Sequence, residues 1–354
     1  MPQNFSAAQP HAAPEVTTFL YDQFERPLMD LRLSLTDSCN FRCPYCMPKN
    51  SRPLSNSLHD RLDLTLGERL RLIKILAELG VSKIRITGGE PLLYPHLLEF
   101  IRDIRKISLI HDIALTTNGS LLRLFAAKLK HAGLHRLTVS VNTLDKNTFA
   151  KMTGRRGRLN RVLDGIHAAE SAGFSPIKIN AVVQKGINDR DIVGLTRYFT
   201  GQGHIVRFIE YMDTGITNDW QPNEVMPNSE ILAVLQNHFF LEAVEPQRYG
   251  ETATRYRVRD GKGEVGFISS VSNPFCSTCT RLRLSADGKI YTCLFSAEGK
   301  NLAVLLRDGA SDAEIKAVIA KTWGSRADKY SENRSLFRSL NDPISRLEMY
   351  QIGG

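Results

Sequence analysis

Six cysteines fall into two triads, with none left over. The first triad is Cys39, Cys43 and Cys46, spaced C-x3-C-x2-C in the stretch CNFRCPYC. The second is Cys276, Cys279 and Cys293, spaced C-x2-C-x13-C. Thiolates are soft ligands that suit iron–sulfur clusters or zinc. A structural zinc site is closed by a fourth Cys or His. His59, the nearest histidine downstream of the first triad, has no ligand-like spacing. A four-iron cluster usually takes four cysteines, so a triad would leave one iron open to another ligand. Structural thiols remain an alternative for the first triad, and a zinc ribbon short of one ligand for the second.

Other residues could surround such centres. Thr87-Gly88-Gly89-Glu90-Pro91 follows a short β-branched run. A Gly pair there lets backbone approach a ligand closely. The acid Glu90 could pair with a ligand ammonium, although a plain strand-to-helix turn explains the same residues. Arg281 and Arg283 alternate with Leu282 and Leu284, so on a strand both guanidiniums share one face beside Cys279. Arginine binds phosphate oxygens in bidentate fashion; a solvated charged face is the plainer account. Arg32, Arg85 and Lys178 sit in runs that otherwise read apolar. A cation there is costly without a counter-charge. Thr116 could hydrogen-bond a ligand or merely support its strand. The chain ends Gly353-Gly354, which by itself reads as a frayed tail, and the run Arg155-Arg156-Gly157-Arg158 as a solvated loop.

These residues need elements to position them. Short apolar or β-branched runs recur at residues 31–36, 83–87, 113–117, 136–141, 177–183 and 205–212. Amphipathic helical stretches lie between them at 66–79, 95–107, 121–131 and 162–172. Alternating strands and helices imply a parallel sheet with helical crossovers. The fold expected is α/β: a partial (β/α)6 barrel of the TIM type, with reactive groups at the strand C-termini. After residue 212 the rhythm breaks. A helix at 229–239 precedes strands at 255–259, 264–269, 281–285 and 289–294, and a helix at 312–323 follows. Asp287-Gly288 marks a hairpin turn. The expected organisation is a flexible extension over 1–27, the barrel over 28–212, and a strand-rich region over 213–354 carrying the second triad.

The bulk numbers narrow the setting. The net charge of +9 admits an anionic substrate, nucleic acid, a membrane surface or simple solubility. No apolar run approaches the roughly 18–20 residues of a bilayer-crossing helix, and the N-terminus lacks signal-peptide features. A cytoplasmic location is expected, with no membrane or nucleic-acid partner. Reduced thiols there favour metal or catalysis over disulfides.

The first triad, with Tyr45, resembles the cluster loop of the radical S-adenosylmethionine superfamily. The second triad in its setting FCSTCTRLRL…DG…CLF resembles one branch closely, the GTP 3′,8-cyclase family of molybdenum-cofactor biosynthesis. The likeness runs from about residue 24 to residue 354. It implies two [4Fe-4S] clusters. The first would bind S-adenosylmethionine and split it reductively. The resulting 5′-deoxyadenosyl radical would take hydrogen from GTP C3′, and C3′ would close on guanine C8. The second cluster would hold the guanine. The resemblance assigns S-adenosylmethionine contacts to Tyr45, Gly89, Glu90, Ser140 and Met212. It assigns GTP contacts to Arg32, Arg85, Thr116, Lys178, Arg281, Leu282 and Arg283. It brings the Gly353-Gly354 tail into the active site as part of the catalytic set with Arg281 and Arg283. An electron donor such as flavodoxin or ferredoxin and a homodimer are implied as well. Asn142-Thr143 stands where the family pattern has an Asp-Ser pair. Two other readings stay open: a two-cluster enzyme acting on a peptide, and a zinc-stabilised nucleic-acid-binding protein. The paired arginines argue against the first. The lack of a recognised nucleic-acid module argues against the second.

Overall fold

A computed structural model describes residues 19–47, 63–215, 218–259, 261–335 and 347–353. Its first half is the expected alternation: β1 (Asp30–Ser34), α1 (Leu66–Glu78), β2 (Lys83–Thr87), α2 (Leu97–Arg105), β3 (Asp112–Thr117), α3 (Leu122–His131), β4 (Arg136–Ser140), α4 (Lys146–Met152), α5 (Leu159–Ser171), β5 (Lys178–Val183), α6 (Ile192–Gly201) and β6 (Ile205–Glu210). Local signals set several boundaries. Thr65 caps α1 in a reciprocal box with Glu68, and Asp145 caps α4 through the Thr148 amide. Along β5 and β6 burial alternates residue by residue. Ile179, Ala181, Val206 and Phe208 pack into the apolar core, while Lys178, Asn180 and Arg207 occupy the opposite face. Each fully buried Leu, Ile or Phe of that core contributes roughly 1.5–3 kcal/mol.

The second half supplies α7 (Asn228–Gln236), β7 (Leu241–Val244), β8 (Thr254–Val258), β9 (Glu264–Ile268), β10 (Arg281–Leu284), β11 (Lys289–Tyr291), β12 (Lys300–Asn301), α8 (Leu302–Arg307), α9 (Asp312–Gly324) and a terminal turn of helix, α10 (Met349–Ile352). Its strands do not form a sheet of their own. The order is β12-β11-β10-β1-β2-β3-β4-β5-β6-β9-β8-β7. β10 joins β1 in parallel, and β9 joins β6 in parallel. The six-stranded core thus gains a parallel strand on each edge, with antiparallel strands beyond. The sheet stays open, because β12 and β7 do not pair. The β10–β11 hairpin turns where Asp287-Gly288 marks it, with Gly288 at φ 84°.

Three differences from the sequence expectation stand out. The boundaries of the expected strands shift by a residue or more at most ends, and α4, α6, α8, α10, β7 and β12 went unrecognised because they are short or apolar without a clear period. The strand-rich region is integrated with the barrel sheet. Finally, residues 19–27 are packed: Asp22 and Arg26 are buried, and the Leu28 amide donates to the Leu20 carbonyl. The rest of the expected extension, residues 1–18, lies outside the described residues.

Candidate active site

The first triad lies in the loop after β1, at the C-terminal edge of the sheet. The Gly pair after β2 is what lets this loop seat. The Gly89 amide donates to the Thr36 carbonyl and the Glu90 amide to the Ser38 carbonyl, both at 2.8 Å. A Cβ on either glycine would collide with loop backbone, and Gly88 sits at φ 127°. Burial pushes the thiols up, helped by Glu90 at Cys39 and by neighbouring thiols at Cys43 and Cys46: Cys39 to about 11, Cys43 to about 12 and Cys46 well above its ordinary value. Binding a metal there must therefore expel protons. Glu90 is wholly buried and accepts from Thr117 Oγ1 (2.7 Å), the Asn118 amide (2.8 Å) and the Leu92 amide (3.1 Å). Burial raises its pKa to about 7. Its carboxylate thus ties the tops of β2 and β3 together. The Tyr45 hydroxyl accepts from Asn142 Nδ2 at 2.9 Å, and Asn142 Oδ1 in turn accepts the Val182 amide. Ser140 is half-buried at the C-terminal end of β4.

A cavity on the sheet's inner face collects most of the expected substrate residues. Arg32, Arg85, Thr116, Lys178, Arg281 and Arg283 line it, together with Met212, Cys276, Cys279 and Cys293. Parallel register sets Arg283, Arg32 and Arg85 side by side on three adjacent strands. Like charges aligned this way repel. Burial, then Arg283 and Arg85, holds Arg32 well below its usual value. Burial and neighbouring cations bring Arg85 and Arg283 to about 10, Arg207 to about 9 and Lys178 to about 7. Lys83 is also brought to about 7 by burial, against the pull of Asp30 at 3.0 Å. Thr116 Oγ1 and Thr138 Oγ1 each accept from Arg85 Nη1 at 3.1 Å. Such a belt is costly without an anion. Leu282 points away, into the apolar core, so it can reach a substrate only through its backbone.

The second triad borders the same cavity. Burial opposes ionisation of Cys279, but Arg281 and Arg326 outweigh it and bring the thiol down to about 6. Arg281 Nη2 donates to Cys279 Sγ at 3.2 Å. Cys293 is pushed up to about 11 by burial. All six cysteines are free thiols. Each triad offers three free thiols, soft donors of the kind iron–sulfur clusters take. A cubane takes its thiolates at separate iron corners, so this donor set fits a cluster. The chain terminus reaches the same place: Gly353 lies against Thr87, and its carbonyl accepts from Arg283 Nη1 and Arg32 Nη1. Gly354 lies outside the described residues.

Sequence reasoning missed several residues here. Lys83, Asn180 and Arg207 line the cavity, and the alternation of polar and apolar positions along β2, β5 and β6 carried that signal. Asn142 stood out only as a departure from a family pattern. Asp22, Arg26 and Arg326 had no local signal, because distant segments bring them together.

Comparison with known proteins agrees with this geometry. The family model described as Radical SAM superfamily matches residues 33–199, and that described as Molybdenum Cofactor Synthesis C matches residues 204–332. The chain is similar to a GTP 3′,8-cyclase of Acidothermus cellulolyticus, at 45% identity over 91% of this chain and 90% of that protein. It is similar to those of Staphylococcus epidermidis, at 43% over 95% and 99%, and Xanthomonas axonopodis pv. citri, at 42% over 96% and 100%. Among solved structures, Streptococcus suis SuiB bound to precursor peptide SuiA shares the fold, with a TM-score of 0.57 at 15% identity over 86% of this chain and 67% of that one. Among the described residues no helix is long and apolar enough to cross a membrane. With two family models in tandem over the two halves of the site, and curated relatives matched over nearly their full length, the chain belongs to the GTP 3′,8-cyclase family of radical S-adenosylmethionine enzymes.

Proposed function

We propose that this protein converts GTP to (8S)-3′,8-cyclo-7,8-dihydroguanosine 5′-triphosphate, the first step of molybdenum-cofactor biosynthesis. The observation that carries the reading is the cationic belt of Arg283, Arg32 and Arg85, aligned by strand register beside the second cysteine triad. A triphosphate supplies anionic oxygens for this belt, and the triad borders the same cavity.

Cys39, Cys43 and Cys46 would hold the cluster that binds S-adenosylmethionine; Cys276, Cys279 and Cys293 would hold a second cluster facing the guanine. When bound, the first cluster would supply the one-electron reduction of S-adenosylmethionine to a 5′-deoxyadenosyl radical and methionine, the electron coming from a donor such as flavodoxin or ferredoxin. The chain's own work is placement and exclusion of water. Gly89 seats the first loop, and Glu90 fixes the strand ends beneath it. Tyr45, Ser140 and Met212 would flank the cofactor. Arg32, Arg85 and Lys178 would take phosphate oxygens, with Thr116 holding Arg85. Arg281 and Arg283, on the strand leading from the second triad, would sit by the reacting nucleoside, with the Gly353 carbonyl keeping Arg283 oriented.

The test is anaerobic incubation with GTP, S-adenosylmethionine and a reductant. GTP consumption with matching 5′-deoxyadenosine, by protein carrying about eight irons per chain, is expected. 5′-Deoxyadenosine formed only with a different substrate would overturn the assignment.

A further inference from the structure

Beneath the second triad lies a buried charged group that the proposed reaction does not use. Asp22 is 6% exposed, and its Oδ2 accepts from Arg26 Nε at 2.6 Å and Arg326 Nη1 at 3.3 Å. Each arginine also grips the backbone of a triad cysteine. Arg26 Nη1 donates to the Cys276 carbonyl and Arg326 Nη1 to the Cys279 carbonyl, both at 2.7 Å. Arg26 donates further to the Asp328 carbonyl, and the Asp328 carboxylate lies 3.6 Å from Arg326 Nε. The fully buried Trp323 locks the arrangement: its indole donates to the Arg26 carbonyl, and the Arg326 guanidinium lies 4.5 Å from its ring centroid.

Two features point beyond packing. Arg26 lines the cavity, yet its buried Nη2 has no hydrogen-bond partner among the described residues. An unmade bond to a buried cation is expensive, and an anionic acceptor in the cavity would remove the cost. The local charge is also unbalanced. Asp22 is shared by Arg26 and Arg326, the Asp328 carboxylate that also approaches Arg326 is 32% exposed, and Arg281 donates to the Cys279 sulfur itself, so positive charge lies closest to the thiols. A cubane held by three thiolates is a net anion that becomes more negative on reduction. A buried positive excess favours the reduced form.

We propose that Arg26 and Arg326, held in place by Asp22, act as positioning residues for the second cluster: they brace its cysteine loop, and their positive charge, partly offset by Asp22, raises its reduction potential. This rests on the reading of the second triad as a cluster site. The test uses the full-length chain with Cys39, Cys43 and Cys46 replaced by Ala, so that any cluster sits in the second triad. Iron retained under chelator and the midpoint potential from an EPR-monitored titration are measured. Arg326→Gln should lower the potential and speed iron loss. Asp22→Asn, which keeps an acceptor for the Phe24 and Arg26 amides, should raise the potential. Arg326→Lys should stay near the parent. Opposite shifts are not what simple loosening of the fold produces. If Arg326→Gln retains too little iron to titrate, the Asp22→Asn and Arg326→Lys pair decides. Potentials that do not move, or all move one way, overturn the proposal. Parent protein that binds no cluster removes the second-cluster reading itself.

Discussion

Arg283 Nη1 lies 2.5 Å from the carbonyl oxygen of Gly353, and Arg32 Nη1 approaches the same oxygen at 3.3 Å. Two cations of the belt, the buried Arg283 and the half-buried Arg32, are thus oriented by the same backbone carbonyl. A carbonyl orients a guanidinium without neutralising it, and both arginines line the cavity that an anionic ligand would enter. Gly353 suits the position because it lies at φ 67° with a Thr87 methyl where a Cβ would stand.

Deleting Gly353 and Gly354 removes that anchor. Cyclisation should fall on the order of 100-fold or more, as expected for misplaced catalytic groups, while iron content stays unchanged. Product and iron are quantified on the same sample. Wild-type turnover by the truncated chain would refute the role of the tail.

Replacing Arg32 or Arg85 by Ala should weaken GTP binding by about 1.5–3 kcal/mol, the range for a hydrogen bond to a charged group. Anaerobic calorimetry without S-adenosylmethionine measures this directly. Arg85→Lys should recover only part of the loss, because an ammonium cannot reproduce the planar fork. Unchanged affinity in both Ala variants would remove the belt from substrate binding.

GTP affinity should fall as pH rises above about 7. In the free protein burial, followed by Arg207, brings Lys178 down to about 7. A bound triphosphate favours the charged ammonium and raises that pKa again. The complex then binds more protons than the free protein, so affinity drops by up to about tenfold per pH unit for this one group until the bound-state pKa is reached. Lys178→Gln should flatten the profile by one proton. An identical slope in wild type and variant would exclude Lys178.

Asn142→Ala should leave the buried Tyr45 hydroxyl without its donor and cost about 1–3 kcal/mol of stability. Asn142→Asp keeps an acceptor for the Val182 amide and can accept from Tyr45, so it should melt near wild type. Thermal unfolding of the three proteins compares them, and equal loss in both variants would deny the Tyr45 contact any weight.

Gly89→Ala should drive a methyl into the Ser38 carbonyl, lift the first-triad loop and lose about half the iron of a doubly loaded chain. Cys276, Cys279 and Cys293 should keep theirs. Full iron content in this variant would show that the loop tolerates the displacement.

The six strands of the barrel core were legible because each is a short apolar run bounded by turn residues, and period-two alternation put Arg281 with Arg283. The thiol spacings announced metal chemistry for the same local reason: they lie within single loops or one hairpin. α6 and α4 escaped notice, one for want of a clean polar face and the other for its shortness.

What the sequence by itself determined is therefore local: which residues are strand, which face they share, and which thiols form a triad. Tertiary structure decided what meets what. Register aligned Arg283, Arg32 and Arg85 from strands far apart in the chain, and two parallel edge strands drew the second triad onto the barrel's own sheet. Asp22, Arg26 and Arg326 became one buried group only when chain segments some 300 residues apart packed together. Spacing reports contacts within an element; long-range packing depends on how whole elements bury their apolar faces, which no single stretch of sequence records.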